Sequence, residues 1–595
     1  MNIIPRTFGD ASLFLPAVAA ALALFSPFAA AQEVAYAPPM KNAMSLSANF
    51  GEVRPNHLHS GVDFRVGGVE GEPVYAVERG YVARIVVRPD GYGNALYVAH
   101  PNGTTSVYGH LQRFAPAIAA WAYEQQYANR SFLLDAELSP LDFPLLQGDC
   151  IGFAGNSGSS SGPHLHFELR DRRQQPLNVV RPGVYSLPDA RPPTVRRLFV
   201  YRFDTLQGEA LPQRHKILAV KQTKNVLALA AGDTVAVDGA CFFGLDMADR
   251  MDGSEHTFGV RRCALHLNDS LIFSYDMDVF SFDETRYCNA LIDFSRKRLY
   301  NEKIIRLYVA PGNRLSIYRQ VKRQGVVALK SGEKARISVA VADDAGNTST
   351  LAFWVKSAAA TTTAATATAA GARQAANARQ AAEGEQKVMR WSQSNAYEAN
   401  GFKVHIPAGA LYESTAFEVQ SEKARSGSAS PAFRVAQPAT PPHLAVQIGV
   451  KANVPPHLRE KALVVCMDRE GRRSALATTF REPYFTANSR SWGAFFVEID
   501  TIPPKIVPVN FADGGRLSRD QRRIALTVKD NLSKIKSYAG YVDDSWALFE
   551  YDEKSHLMRY TIDSARVKIG AQHNIVFVAT DVAGNNGSFT CDLFF

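Results

Sequence analysis

Short apolar runs closed by turn residues set the rhythm of the chain's first third. Tyr81 to Val87, Ala95 to Ala99 and Thr104 to Tyr108 are separated by Asp90-Gly91, Gly93-Asn94 and Asn102-Gly103. An Asn-Gly or Asp-Gly step between two such runs signals a β-hairpin, so this pattern predicts an antiparallel sheet. One stretch breaks the rhythm. Between Phe114 and Pro144 the segment Ala115-Pro116-Ala117-Ile118-Ala119-Ala120-Trp121-Ala122-Tyr123-Glu124 pairs an early proline with good helix formers, which predicts a short helix inserted after the strand that ends near His110. It serves either as a wall of a substrate groove or as a peripheral packing helix.

Beyond Val184 the chain continues as strands and turns. Arg191-Pro192-Pro193-Thr194-Val195 opens a segment that closes with Asp344-Ala345-Gly346-Asn347, and Ile502-Pro503-Pro504-Lys505-Ile506 opens another closing with Asp581-Val582-Ala583-Gly584-Asn585. A Pro-Pro entry and a D-x-A-G-N turn before the last strand resemble the ends of bacterial immunoglobulin-like sandwiches. Between these segments an Ala/Thr tract grades into Ala, Arg, Gln and Glu, a composition that buries no core and reads as a linker. After it, Phe402-Lys403-Val404-His405-Ile406-Pro407-Ala408-Gly409-Ala410-Leu411 resembles the opening of ZU5-like sandwiches, with His405 structural. The fold class is all-β. The predicted divisions are a signal peptide at 1–31, a first domain at 32–188 with a helical insertion at 114–144, a sandwich region at 189–356, a linker at 357–388, a β domain at 389–500 and a last sandwich at 501–595.

Composition narrows the setting. Residues 12–28 are apolar, follow Arg6 and precede Ala29-Ala30-Ala31, a small-residue cleavage pattern. Pro16 and Pro27 interrupt a stretch already short for a bilayer span, so the expectation is export to the periplasm or beyond, without stable membrane insertion after cleavage. The 595 residues carry a formal net charge of +9 spread along the chain, which favours anionic surfaces such as a cell wall. No dense Lys/Arg block accompanies it, so nucleic acid is not an expected partner. Six cysteines are too few for a disulfide scaffold; export permits disulfides, and Cys241, Cys263 and Cys288 lie close enough in sequence for one pairing among them, while Cys150 reads as a small buried apolar residue.

The chemistry lies in three places: His59-Ser60-Gly61-Val62-Asp63, Tyr108-Gly109-His110-Leu111 and His164-Leu165-His166-Phe167-Glu168. A catalytic zinc takes three imidazole or carboxylate ligands and leaves a fourth position for water, whose pKa falls toward about 7. In an extended strand His164, His166 and Glu168 share one face, so one histidine can bind metal while the other stands beside the water. Gly61 fits a bend that turns His59 and Asp63 toward one point. Glu168 is either the partner of a ligating histidine or a solvated carboxylate. His57 competes with His59 on strand geometry alone.

These residues resemble the M23 peptidases, the LytM or lysostaphin type of peptidoglycan endopeptidase, whose signature is H-x-G-x-D, then G-H, then H-x-H. The resemblance covers roughly residues 45–182. It implies one Zn²⁺ per chain held by His59, Asp63 and His166, with His110 and His164 as a catalytic pair, either of which can act as base or acid. It implies an exported enzyme that hydrolyses peptide bonds in peptidoglycan stem or cross-link peptides. The alternative is a non-catalytic wall scaffold or amidase activator that keeps the metal site. The C-terminal β modules offer a surface for a cell-envelope protein partner, and Asn49, Asn56 or His57 could approach the metal from the N-terminal side.

Overall fold

Alternation of apolar and polar residues, rather than helical periodicity, dominates the computed structural model, which describes residues 35–42, 44–181, 183–357, 387–518 and 520–595. The expected signal peptide and almost all of the expected linker lie outside the described residues. Among those residues no helix is long and apolar enough to cross a membrane. The fold is almost entirely β, as the turn chemistry predicts.

The first domain is built on a nine-stranded sheet. Its main path runs Leu46–Ala48, Val62–Arg65, His164–Arg170, Thr105–Leu111, Asn94–Ala99, Gly80–Val87, Leu134–Glu137, and each of these neighbours pairs antiparallel. The two strands that carry most of the chemistry, Val62–Arg65 and His164–Arg170, lie side by side with Asp63 directly opposite His166. Phe64, Leu165, Phe167 and Tyr108 are buried behind them. The site therefore lies on the face of the sheet opposite this packed layer.

The inserted segment forms a helix over Pro116–Ala128, with Pro116 in the first turn where its missing N–H costs nothing. Ile118, Ala122 and Gln126 face inward, while Tyr123, Glu124 and Tyr127 reach the last domain 440 residues away. Tyr123 Oη donates to Asp563 Oδ2 at 2.8 Å, Arg566 donates to both oxygens of Glu124 at 2.7 and 2.8 Å, and the Arg566 guanidinium stacks over Tyr127 at 3.7 Å. The insertion is thus a platform for the far end of the chain.

Residues 194–357 form a twelve-stranded sheet assembly whose buried apolar side chains run without a break into those of the first domain. Phe50 stacks on Phe280 at 4.8 Å across that seam. Residues 387–499 form two facing sheets around Phe402, Phe433, Phe485 and Phe495, and residues 505–594 form two more around Ile524, Leu526, Phe549 and Phe577. Each has its own apolar core.

Cysteine is the point where expectation fails. All six are free thiols, and Cys241, Cys263 and Cys288 are each buried. They sit on separate elements, Ala240–Ala248, Arg262–Leu267 and Cys288–Leu291, and fill the interior as small hydrophobes; burial pushes the Cys241 and Cys288 thiols up to about 12. Cys150 is exposed rather than buried, because strand alternation gives the inward position to Ile151.

Candidate metal centre

His59, Asp63 and His166 converge. His59 Nε2 lies 3.0 Å from Asp63 Oδ1 and 3.1 Å from His166 Nδ1, and His166 Nδ1 lies 3.0 Å from the same Asp63 oxygen. Three donors around one tetrahedral zinc with bonds of about 2.0–2.1 Å stand about 3.3 Å apart, so the triangle has the right size and the right chemistry. All three residues are buried.

Local sequence explains the convergence. Asp63 and His166 meet because their strands pair in register. His59 precedes the strand, and Gly61 lets it close in: a Cβ on Gly61 would stand 2.3 Å from Phe167 O, so the need is for close approach rather than a special φ. His110 follows Gly109, which pairs with His166, and would turn to the opposite face in a regular strand. Its backbone instead adopts φ 59°, a strained region for a non-glycine residue. The imidazole lies in the site, its ring centre 4.8 Å from that of His164 and 5.9 Å from that of His166.

The far nitrogen of each imidazole is held. His59 Nδ1 bonds Asn49 O at 2.8 Å and His166 Nε2 bonds Glu168 Oε1 at 2.9 Å. Such partners fix the tautomer and raise ligand basicity. His110 Nδ1 bonds Ser157 O at 2.8 Å, and His164 Nδ1 bonds Gly162 O at 2.8 Å. A carbonyl accepts only from N–H, so both rings carry a proton on Nδ1. His164 Nε2 faces Asp63 Oδ1 at 3.5 Å.

Charge in the site is balanced. Burial opposes ionisation of Asp63, but His59, His164 and His166 hold its carboxyl well below the ordinary carboxylate range. Burial, His166 and His164 drive His110 down to about 3, so it is neutral at ordinary pH. Glu168 is fully buried; burial would raise it, yet Arg170, His166 and Ser60 bring it to about 2. Its Oε1 also accepts from Ser60 Oγ at 2.6 Å and Tyr92 Oη at 2.5 Å, and its Oε2 from Arg170 Nε at 2.7 Å. Of the two roles open to Glu168, the structure shows a buried partner of His166 rather than a solvated carboxylate.

Sequence reasoning missed Tyr92, Arg170 and Arg54. Arg54 Nη2 stands 3.2 Å from Asp63 Oδ2, whereas none of the three residues expected near the metal from the N-terminal side enters with its side chain. Asn49 turns its side chain to Gly259 and Asp344, Asn56 accepts from Asn289, and His57, bonded to Pro55 O at 3.0 Å, is exposed. The loop that delivers His164 is itself touched by the last domain, where Lys554 Nζ donates to Asn156 O and Ser160 O.

A β-sheet presenting a His/Asp donor triangle with two further histidines beside it has the donor chemistry of a metal centre. Residues 57–121 match peptidase family M23, and residues 386–500 match the Zu5-like domain. A DD-carboxypeptidase/endopeptidase Mpg of Neisseria meningitidis serogroup B is 33% identical over 123 residues, 21% of this chain and 22% of that protein. An uncharacterized metalloprotease of Haemophilus influenzae is 30% identical over 138 residues, 23% of each chain. The chain thus spans about a fifth of the length of these curated relatives. Among solved structures, a zinc containing peptidase from Vibrio cholerae is 24% identical over 25% of this chain and 39% of that one, with a TM-score of 0.18.

Proposed function

We propose that the chain is an exported zinc-dependent endopeptidase that hydrolyses peptide bonds in the stem or cross-link peptides of peptidoglycan. The observation that carries this reading is the triangle of His59, Asp63 and His166, 3.0–3.1 Å on each side, with His110 and His164 next to it, each held by a backbone carbonyl at Nδ1. The peptidase relatives and the apolar N-terminal stretch with its Ala-Ala-Ala ending support substrate class and export respectively. His59 would hold the zinc through Nε2, His166 through Nδ1 and Asp63 through Oδ1.

When bound, the zinc supplies a Lewis acid that acidifies water and polarises the scissile carbonyl. The chain's own residues do the rest. His110 and His164 would act through Nε2, taking a proton from the attacking water and returning it to the leaving amine, with the protonated form hydrogen-bonding the developing oxyanion. The Ser157 and Gly162 carbonyls keep both rings in the tautomer this requires. Glu168, anchored by Arg170, Tyr92 and Ser60, keeps the His166 ring from rotating.

Purified protein incubated with isolated sacculi tests the reading. New amino termini or uncrosslinked stem peptides should appear, and should vanish with a zinc chelator and in His164→Ala. Intact sacculi in the presence of zinc-loaded, folded protein would instead point to the scaffold or activator role.

A further inference from the structure

Two groups of carboxylates far from the peptidase site repeat one another residue by residue. Asp189, Asp249 and Asp343 bring one oxygen each within 4.8 Å of the others, and so do Asp500, Asp530 and Asp581. The first member of each precedes the Pro-Pro entry, as Asp189-Ala190-Arg191-Pro192-Pro193 and Asp500-Thr501-Ile502-Pro503-Pro504. The second follows immediately on a strand, Ala240–Ala248 or Arg523–Lys529. The third opens the D-x-A-G-N turn.

The hydrogen bonds repeat as well. Asn347 donates from N to Asp343 Oδ1 at 2.8 Å, and from Nδ2 to Asp343 Oδ2 at 2.8 Å and Asp189 O at 3.0 Å. Asn585 does the same with Asp581 at 2.8 and 2.8 Å and with Asp500 O at 3.0 Å. The terminal asparagine therefore ties the closing turn to the backbone of the entering segment in both modules.

What the arrangement does not satisfy is its own charge. Asp249 is 3% exposed and its Oδ1 has no hydrogen-bond partner; Asp500 is 1% exposed and its Oδ2 has none, nor has Asp530 Oδ1. Among the described residues none of the six acids forms an ion pair with Lys, Arg or His, although neighbouring buried acids do: Asp246 pairs with Arg196 and Arg197, and Glu498 with Arg473. In each triad two buried carboxylates and a half-buried third, without a counter-charge from the protein, form an oxygen donor set whose charge a cation would neutralise.

We propose that each triad binds one hard divalent cation, calcium in preference to magnesium, and that the ion clamps the segment entering a β module onto that module's closing turn. The donors are all oxygen, which disfavours zinc and other metals that seek nitrogen or sulfur. Calcium accepts six to eight oxygens in flexible geometry, whereas magnesium retains several waters and uses only one or two carboxylates. Both triads sit at handovers: Asp189 follows the M23 domain and Asp500 follows the Zu5-like strand Ala494–Ile499. The ions would make these joints rigid and set where the last domain lies against the Pro116–Ala128 helix.

The test uses the full chain, stripped with EDTA, reloaded with one equivalent of zinc and titrated with CaCl₂ by isothermal calorimetry. Two equivalents should bind at concentrations up to about 1 mM, the range of extracellular calcium modules. One equivalent should remain in Asp249→Asn and one in Asp530→Asn, with none in the double variant and unchanged circular dichroism. Calcium should also raise the Tm of the last domain by about 5 °C in the wild type and not in Asp530→Asn. Failure of the folded wild-type chain to take up calcium would overturn the proposal whatever the variants do. Two equivalents retained in the double variant would overturn the assignment, and equal displacement by MgCl₂ would overturn the preference.

Discussion

Buried aspartates meet opposite fates in two neighbouring regions of this molecule. Asp63 lies among three imidazoles and an arginine, and its carboxyl is held far below the usual range. Asp249 lies among other carboxylates; burial, then Asp343, push it up to about 8. The same side chain is thus prepared either to share a nitrogen-rich ligand set or to wait for a charge that the protein does not provide. Donor chemistry, more than burial, sorts which metal each site suits.

Breaking the nitrogen-rich site should have the largest effect. His166→Ala should lower hydrolysis of sacculi or of a cross-linked muropeptide by on the order of 10³-fold or more, while Asp249→Asn should leave the rate per folded molecule within about twofold. Next comes selective metal removal. 1,10-Phenanthroline should abolish hydrolysis, yet leave intact the calcium-dependent rise in Tm of the last domain, as followed by scanning calorimetry. Were both lost together, the two donor sets would not be distinct.

The partner of the ligand comes third. Glu168→Gln should weaken zinc binding by about 10–100-fold, read by competition with a chromophoric chelator. Because Arg170 is nearly buried and would lose its carboxylate, Tm should fall as well.

A smaller effect comes from a lone imidazole. His443 stacks on Tyr287 at 4.0 Å between the Zu5-like module and its neighbour, and its Nδ1 has no partner. Burial, with Arg286, Arg490 and Arg314 nearby, lowers it to about 4. Its folded value is below its unfolded one, so the contact it makes is fully present above about pH 6.5 and is lost as pH falls toward 4. Wild type should lose a few degrees of Tm more than His443→Phe between pH 7 and about pH 4.5. The smallest change is expected from Lys554→Ala, whose surface contact with the loop before His164 should shift stability by less than about 0.5 kcal/mol and KM by less than about threefold.

The candidate ligands were legible because strand alternation compresses them. His164, His166 and Glu168 need only a period of two to share a face, and His59 and Asp63 stand four residues apart. Long-range partners were not. Tyr92 reaches Glu168 only through the tertiary fold, 76 residues away in sequence, and nothing in its neighbourhood marks it as more than a turn residue, whereas Arg170 continues the same strand face two residues beyond Glu168 and was open to the period-of-two reading. The carboxylate triads show the same limit from the other side. The Pro-Pro entries and D-x-A-G-N turns were visible as ends of sandwiches, but Asp249 and Asp530 carry no motif, and sixty or more residues separate Asp189 from Asp249. The cysteines misled because sequence proximity among Cys241, Cys263 and Cys288 says nothing about which face of which element each occupies.

The pairing of Asp63 opposite His166 also bears on how the chain reaches its fold. A slip of one residue between Val62–Arg65 and His164–Arg170 would turn every side chain of one strand to the other face and separate the carboxylate from the imidazole. Only the chain in correct register can hold the ion with all three donors. Metal capture would then work as a proofreader of strand pairing: it would reward the one alignment that also aligns the chemistry, and misaligned chains would gain nothing from the metal around them.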